Sequence, residues 1–262
     1  MKKNDALKEI IAKKKEKLIL AKQNLPESEL KAKISGAGPT LPFIQAINKP
    51  RVISLIAEIK KASPSAGILR QDFDPAAIAA IYQESGAAAI SVLTEEDFFI
   101  GDINYIKQIK SLVKLPVLRK DFIFEAYQVY ESRFYGADAL LLIAELLSKD
   151  KLAELIQIAQ DLGMDCLVEA HNEKDLKKAL SLKAPLIGIN NRDLHSLEVD
   201  FKTTENLFTL IPKDKIVVVE SGVKSFQDIL FLKVLGVNAV LIGQAFMQSP
   251  DIAKKIEEVM GW

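Results

Sequence analysis

The sequence predicts an α/β protein: a single closed (β/α)8 barrel of the TIM type over residues 1–262, with residues 1–50 as an N-terminal helical extension. Three observations predict it. From Ile53 onward, eight short aliphatic runs alternate with eight amphipathic stretches of helical period. The runs are continuously apolar, as expected where a helix layer covers a parallel sheet. The chain of 262 residues has the length that eight such units need. An open doubly wound sheet would carry a Gly-x-Gly-x-x-Gly turn after its first strand, and none follows residues 53–58.

In order, strand 53–58 is followed by helix 75–84, strand 88–93 by helix 103–112, and strand 116–119 by helix 125–135. Strand 139–143 leads into helix 150–162, strand 166–169 into 173–180, and strand 186–190 into 203–210. The last pairs are 216–220 with 225–235 and 239–242 with 251–259. Gly86, Gly136 and Gly236 each close a helix just before a strand, where a left-handed residue is wanted. Pro75 and Pro250 stand at helix starts, where a missing N–H costs nothing.

The extension has a different character. Leu7, Ile10, Ile11 and Leu18 share a helical face, and Lys13, Lys14, Lys15 and Lys17 form a solvated charged face on a helix crossing the barrel mouth or bottom. Pro26 opens a second helix to about Lys33, the run Gly36-Ala-Gly-Pro39 breaks the chain, and Phe43 and Ile44 resume apolar contact.

Composition excludes several function classes. Lys+Arg and Asp+Glu are both 35, so no bulk charge draws the chain to nucleic acid or an anionic membrane, and any anion site is local. The single Cys166 forbids an internal disulfide and reads as a buried apolar residue, while His171 and His195 cannot make a three-histidine metal cluster. No apolar run approaches the ~20 residues that span a bilayer. The lysine-rich start carries Asp5 and Glu9 and reads as neither signal nor transit peptide, so a cytoplasmic monomer is expected.

Active sites of such barrels lie at the carboxyl ends of the strands. There the sequence places Glu58 and Lys60, then Lys120, Glu169, Asn190 with Arg192, and Glu220. Alternation along a strand turns Glu58 and Lys60 the same way. Opposed charges gathered in one pocket are costly to bury unless paired or used. After the last two strands, Ser221-Gly222 and Gly243-Gln244 offer backbone N–H groups in the loops that commonly hold phosphate, which points to a small phosphorylated substrate.

At these residues the chain resembles the indole-3-glycerol-phosphate synthase family. The matching segments are Ile56-Ala-Glu-Ile-Lys-Lys-Ala-Ser-Pro-Ser65, Pro116-Val-Leu-Arg-Lys-Asp-Phe122, Gly188-Ile-Asn-Asn-Arg-Asp-Leu194 and Glu220-Ser-Gly222. The resemblance implies a decarboxylating ring closure of 1-(2-carboxyphenylamino)-1-deoxyribulose 5-phosphate in tryptophan biosynthesis. It implies Lys120 as the general acid at the carbonyl, its pKa lowered by burial and by Lys60, and Glu169 or Lys60 as the dehydration acid. Glu58 would orient Lys60, and Asn190 and Glu220 would position hydroxyls and lysines. Ser63 and Arg192 match contacts to the anthranilate carboxylate, and Phe99, Phe122, Leu141 and Leu194 would line the slot for the ring. Ser221 would touch substrate, with Lys60, Gly222, Gly243 and Gln244 at the phosphate. Gln244 stands where the family often has a small hydroxyl or acidic residue, so its backbone N–H is the expected contact. No metal or organic cofactor is expected, because the electrons released on decarboxylation return to the substrate's own ring. An aldose–ketose isomerase would need one acid–base pair and leave the other charges unexplained, and a binding-only barrel would need no proton donors.

Overall fold

The computed structural model describes residues 6–262. The first five residues of the extension, with Asp5 among the charges noted above, lie outside the described residues. Eight parallel strands close into a barrel: β1 (Ser54–Ile59), β2 (Ala89–Leu93), β3 (Val117–Lys120), β4 (Ala139–Ile143), β5 (Asp165–Ala170), β6 (Leu186–Asn190), β7 (Ile216–Glu220) and β8 (Ala239–Ile242). Closure is direct, since β1 pairs with β8 at Ser54 opposite Ala239 and with β2 at Ile56 opposite Ala89.

Alternate strand residues fill two separate cores. Ile56, Leu118, Leu141, Leu167, Val218 and Leu241 point into the barrel. Leu55, Ile90, Leu140, Val168, Ile187 and Val219 face outward beneath the helices. Cys166 is buried in that outer layer, and burial pushes its thiol up to about 12. The outer helices are α4 (Pro75–Glu84), α5 (Asn104–Lys110), α6 (Ala126–Tyr135), α7 (Lys149–Asp161), α8 (Glu173–Ser181), α9 (Lys202–Phe208), α10 (Phe226–Leu235) and α12 (Ile252–Met260), with the short α11 (Gln244–Met247) directly after β8.

Local chemistry sets the helix ends. The Asp74 carboxylate accepts from the N–H groups of Ala76 and Ala77 ahead of α4, with Pro75 in its first turn. Gly136 and Gly236 end α6 and α10 at φ 94° and 101°. Pro250 departs from expectation: Asp251 caps α12, so the proline precedes the cap.

The extension wraps the barrel from mouth to bottom. Leu7 and Ile10 of α1 (Ala6–Asn24) join the inner core beside Phe99 and Phe122 at the mouth. Leu18 continues with Leu30 and Ile34 of α2 (Glu27–Ile34) against Tyr127 of α6. Phe43 and Ile47 of α3 (Phe43–Ile47) then plug the opposite end, where the Ile44 N–H donates to the Asp165 carboxylate at 3.0 Å.

Lys14 corrects the expected solvated face. It continues the buried stripe Leu7, Ile10, Leu18, and its ammonium lies 2.8 Å from Asp121 and 3.1 Å from Glu96. A helical position facing the barrel there meets two carboxylates rather than apolar side chains, so a lysine suits it.

Candidate active site

At the mouth, the strand ends surround a cavity of about 630 Å³. Glu58, Lys60, Lys120, Glu169, Asn190 and Glu220 all line it, as do Phe99, Phe122, Leu141, Arg192 and Leu194. Ser221, Gly222, Gly243 and Gln244 complete the wall on the side of β7 and β8. Ser63 does not reach the cavity: it is buried in a two-residue hairpin strand, and its hydroxyl stands 3.4 Å from that of Ser65, which does line the wall. The Arg192 guanidinium donates to the Leu197 carbonyl at 2.8 Å and comes within 3.4 Å of the same Ser65 hydroxyl.

Two glycines make room for the carboxylates. A Cβ at Gly188, in the middle of β6, would run into Glu220 Oε1, and one at Gly243 would run into the Glu58 carboxylate. Ser221 adopts φ 60° and Gly222 φ 91°, which turns the chain sharply after β7. A non-glycine residue in that region costs about 1–3 kcal/mol. Asn191 holds the turn, its side-chain amide donating to the Ser221 carbonyl at 3.0 Å while its Oδ1 accepts from the Thr204 hydroxyl at 2.8 Å.

The charges form two groups. Lys60 is ion-paired to Glu58. Lys120 lies 2.5 Å from Glu220 Oε2 and 3.4 Å from Glu169 Oε2. Burial alone would favour the neutral amine, but Glu220, Glu169 and Glu58 outweigh it and hold Lys120 as an ammonium above the usual lysine range. The expectation that Lys60 loosens the Lys120 proton is therefore corrected: Lys60 is engaged with Glu58, and carboxylates dominate around Lys120. Glu169 is held below the carboxylate range, because Lys120 and His171 overcome its burial. Glu220 is pushed up to about 8, first by burial and then by the like charge of Glu169, with Lys120 opposing. The two carboxyls are coupled, so their apparent values belong to the pair.

Several functional neighbours escaped the sequence reading. Asp121, beside Lys120, is buried and held well below the carboxylate range; burial opposes this, but Lys14 and Arg119 prevail. Arg119 points outward into the helix layer, 3.0 Å from Asp121 and 2.9 Å from Glu131. On the far side of Glu169, His171 Nε2 stands 3.2 Å from Oε1, close but not aligned. Apo contacts of this kind often tighten only when substrate is bound. The Glu-Ala-His spacing was the available sign, since alternation puts His171 on the same side as Glu169. His171 Nδ1 lies 3.9 Å from Glu145, which also receives His195 at 2.8 Å.

Among the described residues, Glu95, Glu96 and Asp97, and separately Glu145, His171 and Asp175, bring ligand-type atoms within 4.8 Å of one another. In the first, Glu95 accepts three backbone N–H groups, from Asp97, Phe98 and Phe99. In the second, Glu145 accepts from His195 and Asp175 accepts from Asn172. In both, these carboxylates already accept hydrogen bonds from neighbouring residues.

The indole-3-glycerol phosphate synthase profile matches residues 7–259. An indole-3-glycerol phosphate synthase from Acetivibrio thermocellus is 50% identical over 254 residues, covering 96% of this chain and 98% of the relative. Another from Caldanaerobacter subterraneus is 48% identical over 260 residues, covering 97% and 99%. Among solved structures, the barrel is similar to 3-hexulose-6-phosphate synthase from Salmonella typhimurium, with a TM-score of 0.62 at 15% identity over 80% of this chain and 97% of that one. A chain of the Pyrococcus furiosus tryptophan synthase complex gives 0.59 at 17% identity, over 80% and 98%. At such low identity these structures speak to the barrel alone, whereas the matching profile and the close relatives span nearly every residue: the chain belongs to the indole-3-glycerol phosphate synthase family.

Proposed function

We propose that the chain converts 1-(2-carboxyphenylamino)-1-deoxyribulose 5-phosphate to indole-3-glycerol phosphate, as a carboxy-lyase of tryptophan biosynthesis. The observation that carries the assignment of roles is Lys120, a half-buried ammonium between Glu169 and Glu220 on the wall of the mouth cavity.

The phosphate sits against the turns at Ser221-Gly222 and Gly243-Gln244, with Lys60 supplying charge. Arg192, with Ser63 behind Ser65, faces the anthranilate carboxylate, and the ring lies among Phe99, Phe122, Leu141 and Leu194. The ring carbon bearing the carboxylate attacks the carbonyl carbon, and Lys120 gives its proton to the carbonyl oxygen as that oxygen gains negative charge. Carbon dioxide then leaves, and the electrons of the broken bond return to the ring. Dehydration follows. Glu169, or Lys60 in its place, protonates the departing hydroxyl, and the amine left on Lys120 takes the proton from the carbon next to nitrogen. Glu58 orients Lys60, and Asn190 and Glu220 hold the hydroxyls. No cofactor enters this scheme, because the substrate stores its own electrons.

We infer a monomer in which barrel and extension work as a single domain, since Leu7 and Ile10 of the extension pack into the barrel's inner core. No helix among the described residues is long and apolar enough to cross a membrane. The test is appearance of indole fluorescence from the carboxyphenylamino-deoxyribulose phosphate. Lys120→Ala is expected to lower kcat by about 10²–10⁴; near-normal turnover with intact fold would remove Lys120 from the mechanism.

A further inference from the structure

The proposed reaction consumes a proton. An anionic carboxylate becomes neutral carbon dioxide, a carbonyl oxygen leaves as water, and Lys120 recovers at the second step the proton that it gave at the first. One proton per turnover must therefore reach the departing hydroxyl from outside. Glu169 is buried and ionised in the resting site. A carboxylate cannot act as an acid until it is loaded, and seated substrate would cover the cavity side.

The structure holds a second path to Glu169. Its Oε2 faces Lys120, whereas its Oε1 lies 3.2 Å from His171 Nε2. From the other ring nitrogen the line continues 3.9 Å to Glu145 Oε2, and Glu145 Oε1 lies 2.8 Å from His195 Nε2. Side-chain exposure rises along the line, from 1% at Glu169 and 7% at His171 to 30% at Glu145 and 46% at His195. Four elements contribute: the end of β5, the loop after it, the turn following β4 and the loop following β6. We propose that His195, Glu145 and His171 form a proton relay from the surface to Glu169, a role that rests on Glu169 being the dehydration acid.

In the relay, the Nε2–H bond of protonated His171 breaks as a proton joins Glu169 Oε1, and Glu169 passes one to the hydroxyl. The C–O bond breaks with its electron pair leaving on water, and the neutral Nδ1–H ring turns over so that its vacant Nε2 takes a proton from Glu145, which is resupplied through His195. The groups facing His171 are Glu169 on β5, Glu145 after β4, Asp175 on α8 and Glu220 on β7, all acidic. Burial works toward the neutral ring, but these neighbours outweigh it and raise His171 above the ordinary imidazole range. These neighbours keep the ring loaded with a proton, which moves only as Glu169 is drawn to give its own to the departing hydroxyl.

The experiment measures kcat and KM against pH, in water and in deuterium oxide, for the full chain and for His171→Asn, His195→Ala and Glu145→Gln. His171→Asn is expected to lower kcat about 10- to 100-fold with KM little changed and with partial rescue by added imidazole. His195→Ala and Glu145→Gln, nearer the surface, should give a smaller loss that grows as pH rises, with a larger solvent isotope effect. The relay is overturned if His171→Asn keeps its kcat within about twofold across the pH range, or if its loss ignores imidazole and leaves the isotope effect unchanged. Glu169→Gln separates the two readings: its inactivity beside a normal His171→Asn removes the relay alone, and its full activity removes the role of Glu169 itself.

Discussion

Lys14→Met tests whether the extension is fastened electrostatically to the catalytic rim. The Lys14 ammonium is buried and reaches Asp121, whose side chain has no exposed surface, at 2.8 Å. Breaking a buried pair by removing one partner costs about 3–5 kcal/mol, because the other charge is stranded. Here Asp121 keeps the Thr94 hydroxyl at 2.6 Å and Arg119 at 3.0 Å. Glu96 is partly exposed, so its contact with Lys14 at 3.1 Å adds little. These offsets bring the expected loss to about 2–3 kcal/mol, or ~5–10 °C in Tm for a chain of this size. The sign with pH follows from both partners. Asp121 is held below its ordinary 3.8, so its contribution is present above that value and is lost as pH falls through the lower, folded one. Lys14 is raised above 10.5 although burial opposes this, so its share is present below 10.5 and fades only as pH rises through the folded value. Chemical denaturation of parent and variant at neutral pH and near pH 3 should therefore show a gap that narrows in acid. An unchanged midpoint at neutral pH, or an equal gap at both, would refute the pairing as a source of stability.

Two further outcomes are expected. Gly188→Ala forces its new methyl into Glu220 Oε1, so Glu220 must swing away from Lys120; kcat should fall by about 10²-fold or more, and wild-type turnover would show that Glu220 need not hold that position. Glu220, raised to about 8, loses its proton as pH climbs through that value, which puts a second full negative charge beside Lys120 and makes its ammonium a poorer donor. The kcat/KM profile should bend downward near pH 8, and Glu220→Gln should remove that bend while keeping measurable activity.

The barrel was legible because eight continuous aliphatic runs alternate with eight helical stretches and no Gly-x-Gly-x-x-Gly turn follows the first run. Strand ends were off by about a residue, since β1 runs Ser54–Ile59 where 53–58 was expected. The mouth was legible through chemistry at those ends: Lys120, Glu169 and Glu220 meet because alternation and register oblige them to. Contacts between distant loops were not. The approach of Glu145 and His195 joins residues 50 apart in sequence, and nothing local to either announces the other. Lys14 was hidden for the opposite reason. Its spacing marked it as core-facing, but a lysine among lysines reads as solvent unless its partners Asp121 and Glu96 are known. The plug at the bottom was visible as apolar residues, Phe43 and Ile44, without its helical form.

Strain and charge are unevenly divided between the ends of the barrel. At the bottom, Phe43 and Ile47 fill the inner core with fully buried apolar side chains. At the mouth the chain tolerates a left-handed Ser221 and buried carboxyl groups at Glu58, Glu169 and Glu220, the last pushed up by burial. Each is unfavourable for folding by itself, so the mouth depends on support from elsewhere. Asp121 supplies a link: it follows Lys120 directly and is gripped by Lys14 of the extension and by Arg119, whose guanidinium is itself bonded to the Gln128 carbonyl and the Ser132 hydroxyl of α6. The backbone of Lys120 is thus fixed from the outer layer while its side chain lines the mouth cavity. That arrangement lets the sheet carry a costly charge cluster without letting it relax, since any rotation of the β3 end would break the Asp121 contacts first.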